Sequence, residues 1–225
     1  MRVIREDIKK ENLLYLGCEF GAWVSADRGK TWSKFKNLPT VAVHEFAQHP
    51  RLDDMAIATH GRSLWVTDLA MLRQINPKQS ENVLFEPREV ISWQTTARRG
   101  SSGTRKFVAA NAPIECRIEY HLAANARNLE IEIRDLKGDV VKRIDSPPTT
   151  KGYHSIAWNL RRDDRQRGRF GPRIATGNYL IVMKIGGETK TQTLSVVSDP
   201  DDPNEAVSEE DEFTWWMYAG GDLDK

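Results

Sequence analysis

Few stretches of this chain place reactive side chains at spacings that could do chemistry. The most patterned is Ser25-Ala26-Asp27-Arg28-Gly29-Lys30-Thr31-Trp32, which fits S-x-D-x-G-x-T-W at every fixed position. That order suits a tight hairpin. Asp27 accepts backbone N–H bonds, Gly29 takes a positive φ, and Thr31 and Trp32 open the outgoing strand with the indole over the turn. Ser25, Asp27, Gly29, Thr31 and Trp32 are therefore read as structural, and Asp27 is not read as a catalyst. The adjacent acids Glu6-Asp7 and Asp53-Asp54 invite comparison with the carboxyl pair, ~5–9.5 Å apart, of glycoside hydrolysis. Neighbouring acids in loops are turn formers, and no catalytic residue is assigned. His44, His49 and His60 lack a ligand spacing, so no metal site is expected. The turn Thr59-His60-Gly61-Arg62-Ser63 makes His60 and Arg62 the best polar candidates for ligand binding.

Other constellations exclude more than they suggest. Arg161–Arg173 holds six Arg, but Asp163 and Asp164 offset part of the charge and only Phe170 interleaves. It reads as a solvated loop, and no nucleic-acid partner is expected. Cys18 and Cys116 make no C-x-x-C pair and no disulfide framework. Phosphate loop, dinucleotide fingerprint, G-x-S-x-G elbow and H-E-x-x-H are all missing, so no cofactor is expected.

The chain has 225 residues, 39% apolar and 29% charged, with a net charge of +1. That near-neutrality is uneven, because residues 199–225 carry ten acids against Lys225 alone. The tail is too polar to order itself, while its FTWWMY run is a short apolar segment. No stretch reaches the ~18 apolar residues of a membrane span.

Strands must position these residues. Short β-rich runs at 13–17, 22–25, 31–35, 41–47, 55–59 and 63–67 alternate with turn residues. Sliding the chain by 42 lays Leu13–Leu16 on Met55–Ala58 and Trp23–Ser25 on Trp65–Thr67. A period near 42 with about four short strands per unit marks a β-propeller blade. With the Ser25–Trp32 motif, which is the Asp-box, residues 1–70 resemble the last blades of Asp-box propellers such as sialidases, xyloglucanase-type glycoside hydrolases and the sortilin ectodomain. The order LYLGCEFGAWVSADRGKTW, LPTVAVHEFAQHP, ATHGRSLWVTD is most similar to bacterial sortilin-like propellers. The resemblance implies an extracytoplasmic protein. One to two blades cannot close a ring, so this chain is expected to be the C-terminal piece of a longer protein.

Residues 69–75 suggest one helical turn, and 76–106 read as a linker that includes the basic run RRGSSGTRK. Period-two strands then recur at 114–122, 128–136, 140–144, 153–160, 179–185 and 189–197. LEIEIRDLKGDVVKRI, GYHSIAWNLRRDD and ATGNYLIVMKIGGETKTQTLSVV resemble the immunoglobulin-like C-terminal modules of secreted bacterial proteins and of the flagellar hook cap protein, with Trp158 as the core tryptophan.

The expected fold is thus all-β: a partial β-propeller of one to two blades over 1–75, the linker over 76–106, an immunoglobulin-like β-sandwich over 107–198 and an acidic tail over 199–225. The expected role is interaction or scaffolding, with the remaining blades and a protein, peptide or glycan ligand as partners. The alternative is a glycoside hydrolase of the Asp-box type whose carboxylates lie on blades outside this chain.

Overall fold

A computed structural model describes residues 1–93, 114–163 and 171–200. The basic run at 98–106, the centre of the Arg161–Arg173 segment and the FTWWMY tail lie outside the described residues. What is described is all-β, with one short helix.

The first sheet is an antiparallel meander of β1 (Val3–Glu6), β2 (Leu14–Cys18), β3 (Gly21–Ser25) and β4 (Ser33–Lys34). A second meander follows with β5 (Val43–Gln48), β6 (Asp54–Thr59) and β7 (Leu64–Asp68), and then helix α1 (Ala70–Gln74). Pairing decides which side chains share a face. Leu16 stands beside Ile4 and Trp23, and Tyr15 beside Arg5 and Val24. In the second sheet Ile57 stands beside Phe46 and Trp65, and Ala56 beside Ala47 and Val66.

These registers correct the uniform offset of 42. With Trp23 laid on Trp65, the pairing puts Leu16 on Ile57, one residue less. The difference matters because a one-residue slip turns every side chain of a strand to the other face. In the corrected alignment the two sheets pack front to back. The Tyr15 face of the first, with Val3 and Ala22, meets the Phe46 face of the second, with Met55 and Ile57, in one core. The Tyr15 and Phe46 rings lie 6.0 Å apart. Gly17 is required at the contact, since a Cβ there would lie 2.9 Å from the Val43 carbonyl.

The outer faces stay open. Leu64 and Val66 are 72% and 73% exposed, and Ile4 on the opposite outer face is 44% exposed.

The remaining strands build a two-sheet sandwich. One sheet orders β13 (Gly152–Trp158), β10 (Cys116–Leu122) and β8 (Val83–Leu84). The other orders β12 (Val140–Arg143), β11 (Leu129–Asp135), β14 (Gly177–Ile185), β15 (Glu188–Ser198) and β9 (Val90–Ser92), with β9 parallel to β15. Period-two alternation fills the core from both sheets: Ile118 and Tyr120 from one meet Ile131, Ile133, Ile181, Met183 and Leu194 from the other. Trp158 is buried there, its indole N–H donating to the Arg161 carbonyl at 2.9 Å. Gly186 and Gly187, with φ of 54° and 89°, close the β14–β15 hairpin as a two-residue turn needs.

The stretch expected as a linker therefore supplies two sandwich strands. β8 pairs with β10 through Leu84 and Tyr120, and β9 pairs with β15 through Val90 and Val196. Both strands are too short to show alternation in sequence. A polypeptide of residues 107–198, which lacks them, is expected to unfold at a lower urea midpoint than one of residues 80–198. Equal midpoints would show that β8 and β9 contribute nothing.

Candidate functional site

The Ser25–Trp32 turn is held by its own side chains. Ser25 Oγ accepts from the Gly29 N–H at 2.8 Å and donates to Asp27 Oδ1 at 2.8 Å. Asp27 takes the Thr31 N–H at 2.8 Å and the Thr31 hydroxyl at 2.6 Å. The Thr31 bonds, more than any other, hold the Asp27 carboxyl down at about 2. Gly29 has φ of 83°, and Trp32 Nε1 donates to its carbonyl at 3.0 Å. A carboxylate with its oxygens so engaged positions a turn; it does not present a base to a substrate.

The second turn differs. His60 and Arg62 are exposed, and neither side chain makes a hydrogen bond or ion pair among the described residues. The His60 ring stacks on His44 with centroids 5.2 Å apart. His49 is elsewhere, its Nδ1 accepting from the Arg51 and Leu52 N–H groups. Gly61 and Ser63, with φ of 76° and 69°, let the chain reverse. Trp65 Nε1 donates to the Arg62 carbonyl at 2.9 Å. The turn presents an imidazole pair and a guanidinium to solvent.

Of the four neighbouring acids, Asp7, Asp53 and Asp54 are committed to cations, while Glu6 makes no ion pair among the described residues. Asp7 is buried and accepts the Tyr15 hydroxyl at 2.7 Å, the Lys9 and Lys10 N–H groups, and Arg73 Nε at 3.0 Å. Arg73 reaches on to Asp53 and to Gln48. Lys9 also bonds Asp53, and Arg88 grips Asp54 with both Nη atoms. Burial alone would push the Asp7 carboxyl up, but the bonds from Arg73 and Tyr15 hold it below the ordinary Asp value. Arg73 lies on α1, so one guanidinium joins the helix to loops of both sheets. Sequence reading missed Arg73 and Tyr15 as partners of these acids, because nothing in sequence spacing brings residues 7, 15, 53 and 73 together.

Elsewhere, both cysteines are free, and burial pushes the Cys116 thiol up to about 12, which makes it inert. The ends of the Arg161–Arg173 segment are anchored: Arg161 bonds the Gly171 carbonyl, Arg173 the Trp93 carbonyl, and Asp163 pairs with Lys142. Among the described residues no helix is long and apolar enough to cross a membrane.

Comparison with known families adds one match. Residues 109–188 match the family model of the FlgD Ig-like domain. The described part of that segment contains β10 to β14 and the buried Trp158, so the Ig-like match and the sandwich coincide. β8, β9 and most of β15 extend beyond the matched Ig-like segment. No curated protein and no solved structure matches the chain.

The Asp7–Arg73 pair is 0% and 8% exposed, so removing one partner strands a buried charge. Arg73→Ala is expected to cost about 3 kcal/mol in urea unfolding at pH 7. Asp7→Asn with Arg73→Met should recover part of it. Because the folded Asp7 carboxyl is depressed, its contribution is present above the ordinary Asp value of ~3.9 and is lost as pH falls below it. The Asp7→Asn variant should accordingly show a flatter acid limb than the parent chain.

Proposed function

We propose that residues 1–75 are the terminal blades of a sortilin-like Asp-box propeller whose role is to bind protein or peptide, with the sandwich as spacer or docking module. The observation that carries this reading is the front-to-back packing of two sheets whose strands correspond in order and register. Repetition of that contact generates a propeller, and the open Leu64/Val66 and Ile4 faces are where further blades would seat. The side-chain closure of the Ser25–Trp32 turn is what an Asp-box hairpin needs.

An interaction role is favoured over hydrolysis by the acids. Asp7, Asp53 and Asp54 each pair with a cation, whereas His60 and Arg62 stand exposed on a loop, where binding groups concentrate. The sandwich, in this reading, gives a stiff base at the end of the propeller.

Peptide-library selection and an aryl-glycoside assay on the longer blade-bearing protein separate the two classes. Enrichment of peptides that depends on His60 and Arg62, with no glycoside turnover, is the expected outcome. Glycoside hydrolysis that survives His60→Ala and Arg62→Ala would overturn the reading in favour of the Asp-box hydrolase. On the chain itself, Leu64→Ser with Val66→Ser should reduce dye binding to apolar surface and leave urea stability nearly unchanged. A large loss of stability would mean that these side chains are covered, and the propeller reading would fail.

A further inference from the structure

We infer that the cleft between β7 and the sandwich strand β10 binds a neutral saccharide, with Trp65 as the stacking platform. The cavity there has a volume of about 410 Å³, inside the range of about 300–1,000 Å³ for small-ligand sites, which favour junctions of this sort. Its polar and aromatic walls include Asn37 after β4, Trp65 and Asp68 on β7, and Arg117 and Glu119 on β10, and β6 and α1 also line it. The inference stands on this geometry and does not depend on the propeller reading.

Each wall has a local reason. Trp65 lies on the edge strand of its sheet and stays 39% exposed. Its N–H is already satisfied by the Arg62 carbonyl, so the ring is held in place and what it offers is an apolar face. On β10 the core takes Cys116, Ile118 and Tyr120, so the period of two turns Arg117 and Glu119 outward to the cavity. Asp68 uses Oδ1 to hold the Ala70 N–H at 2.8 Å, while Arg88 stands 3.8 Å from Oδ2.

The chemistry fits a sugar ring better than other small ligands. A pyranose has a C–H face that packs on an indole and a rim of hydroxyls, each both donor and acceptor. Asp68 and Glu119 accept from hydroxyls; Arg117 and Asn37 donate to them. Burial, reinforced by the charge of Asp68, pushes the Glu119 carboxyl up. Asp68 faces Arg88, and Arg117 beside Glu119 also pairs with Glu115 at 3.3 Å, so charges of both signs are offset locally and neither an anionic nor a cationic ligand is favoured.

Calorimetry and saturation-transfer NMR on the intact chain, with cellotriose, maltotriose and trigalacturonic acid as probes, test this. At least one neutral trisaccharide should bind, and the anionic one should not. Glu119→Gln should weaken binding by about tenfold, as for a lost hydrogen bond to a charged group. Trp65→Ala should abolish it. Because Trp65→Ala also removes a turn contact, Asn37→Ala provides a variant without that liability, and it should weaken binding too. Absence of binding by both neutral probes, preference for the anionic one, or binding indifferent to Glu119→Gln and Asn37→Ala would each overturn the inference.

Discussion

The first 75 residues are governed by the need of an apolar sheet face for another sheet to cover it. Covering apolar area is worth ~25 cal/mol per Å², and one face of each meander is apolar enough to demand it. The first sheet buries Tyr15, Ala22 and Val3 on the second, which returns Phe46, Met55 and Ile57. Since equivalent sheets use opposite faces, the arrangement cannot satisfy itself as a closed pair. A two-fold pair would use the same face twice and stop; a front-to-back pair leaves one of each face open. The exposure of Leu64 and Val66 on one outer face and of Ile4 on the other follows from that asymmetry.

Packing of the two sheets alone would leave the loops below them free, and there Arg73, together with Lys9, takes over. Arg73 joins Asp7, from the β1–β2 connection, to Asp53, from the β5–β6 connection. It also fixes α1, whose C-terminal residue Gln74 bonds the Glu86 backbone through both ends of its side-chain amide. Arg88 then returns to Asp54. A continuous polar path thus runs from the first loop of the first sheet to the stretch that supplies β8 and β9. The sandwich is tied to the two meanders by these contacts, which argues against a freely swinging tether.

How much of this was legible in sequence depended on whether the signal was periodic. IECRIEYHL and NLEIEIRDL alternate over a full strand and appear where the alternation puts them. The Ser25–Trp32 turn was equally legible, because Ser25, Asp27, Thr31 and Trp32 bond within their own turn. β8 and β9 were not legible: two and three residues cannot display a period, and their pairing partners lie far along the chain. Nor was the burial of Asp7, because a loop acid looks solvated until the tyrosine and arginine that enclose it are placed. The uniform offset of 42 read along the sequence is not kept by the pairing, which differs by one residue on one strand. Similarity of composition aligned Leu13–Leu16 with Met55–Ala58, whereas hydrogen-bonded pairing, which composition does not encode, requires 41. As for the candidate groups, sequence singled out His60 and Arg62 from turn chemistry alone, and it had no means of finding the cleft, since Asn37, Trp65 and Glu119 meet only through packing.

A recurring device explains why such a cleft can exist beside a well-packed core. Trp32, Trp65 and Trp158 each donate the indole N–H to a backbone carbonyl three residues away, at 3.0, 2.9 and 2.9 Å. The bond removes the cost of burying an indole N–H and fixes the ring against its turn. What differs is the cover over the ring. Trp158 sits between two sheets and is fully enclosed, so it serves only the core. Trp32 lies over Gly29, and it serves the hairpin. Trp65 has the same internal anchor on the edge strand of its sheet, so its ring is ordered without being enclosed. An aromatic face that is rigid, satisfied in its polar group and partly open costs little conformational entropy when something packs on it. The same bond that makes a tryptophan structural in two places leaves it available for recognition in the third.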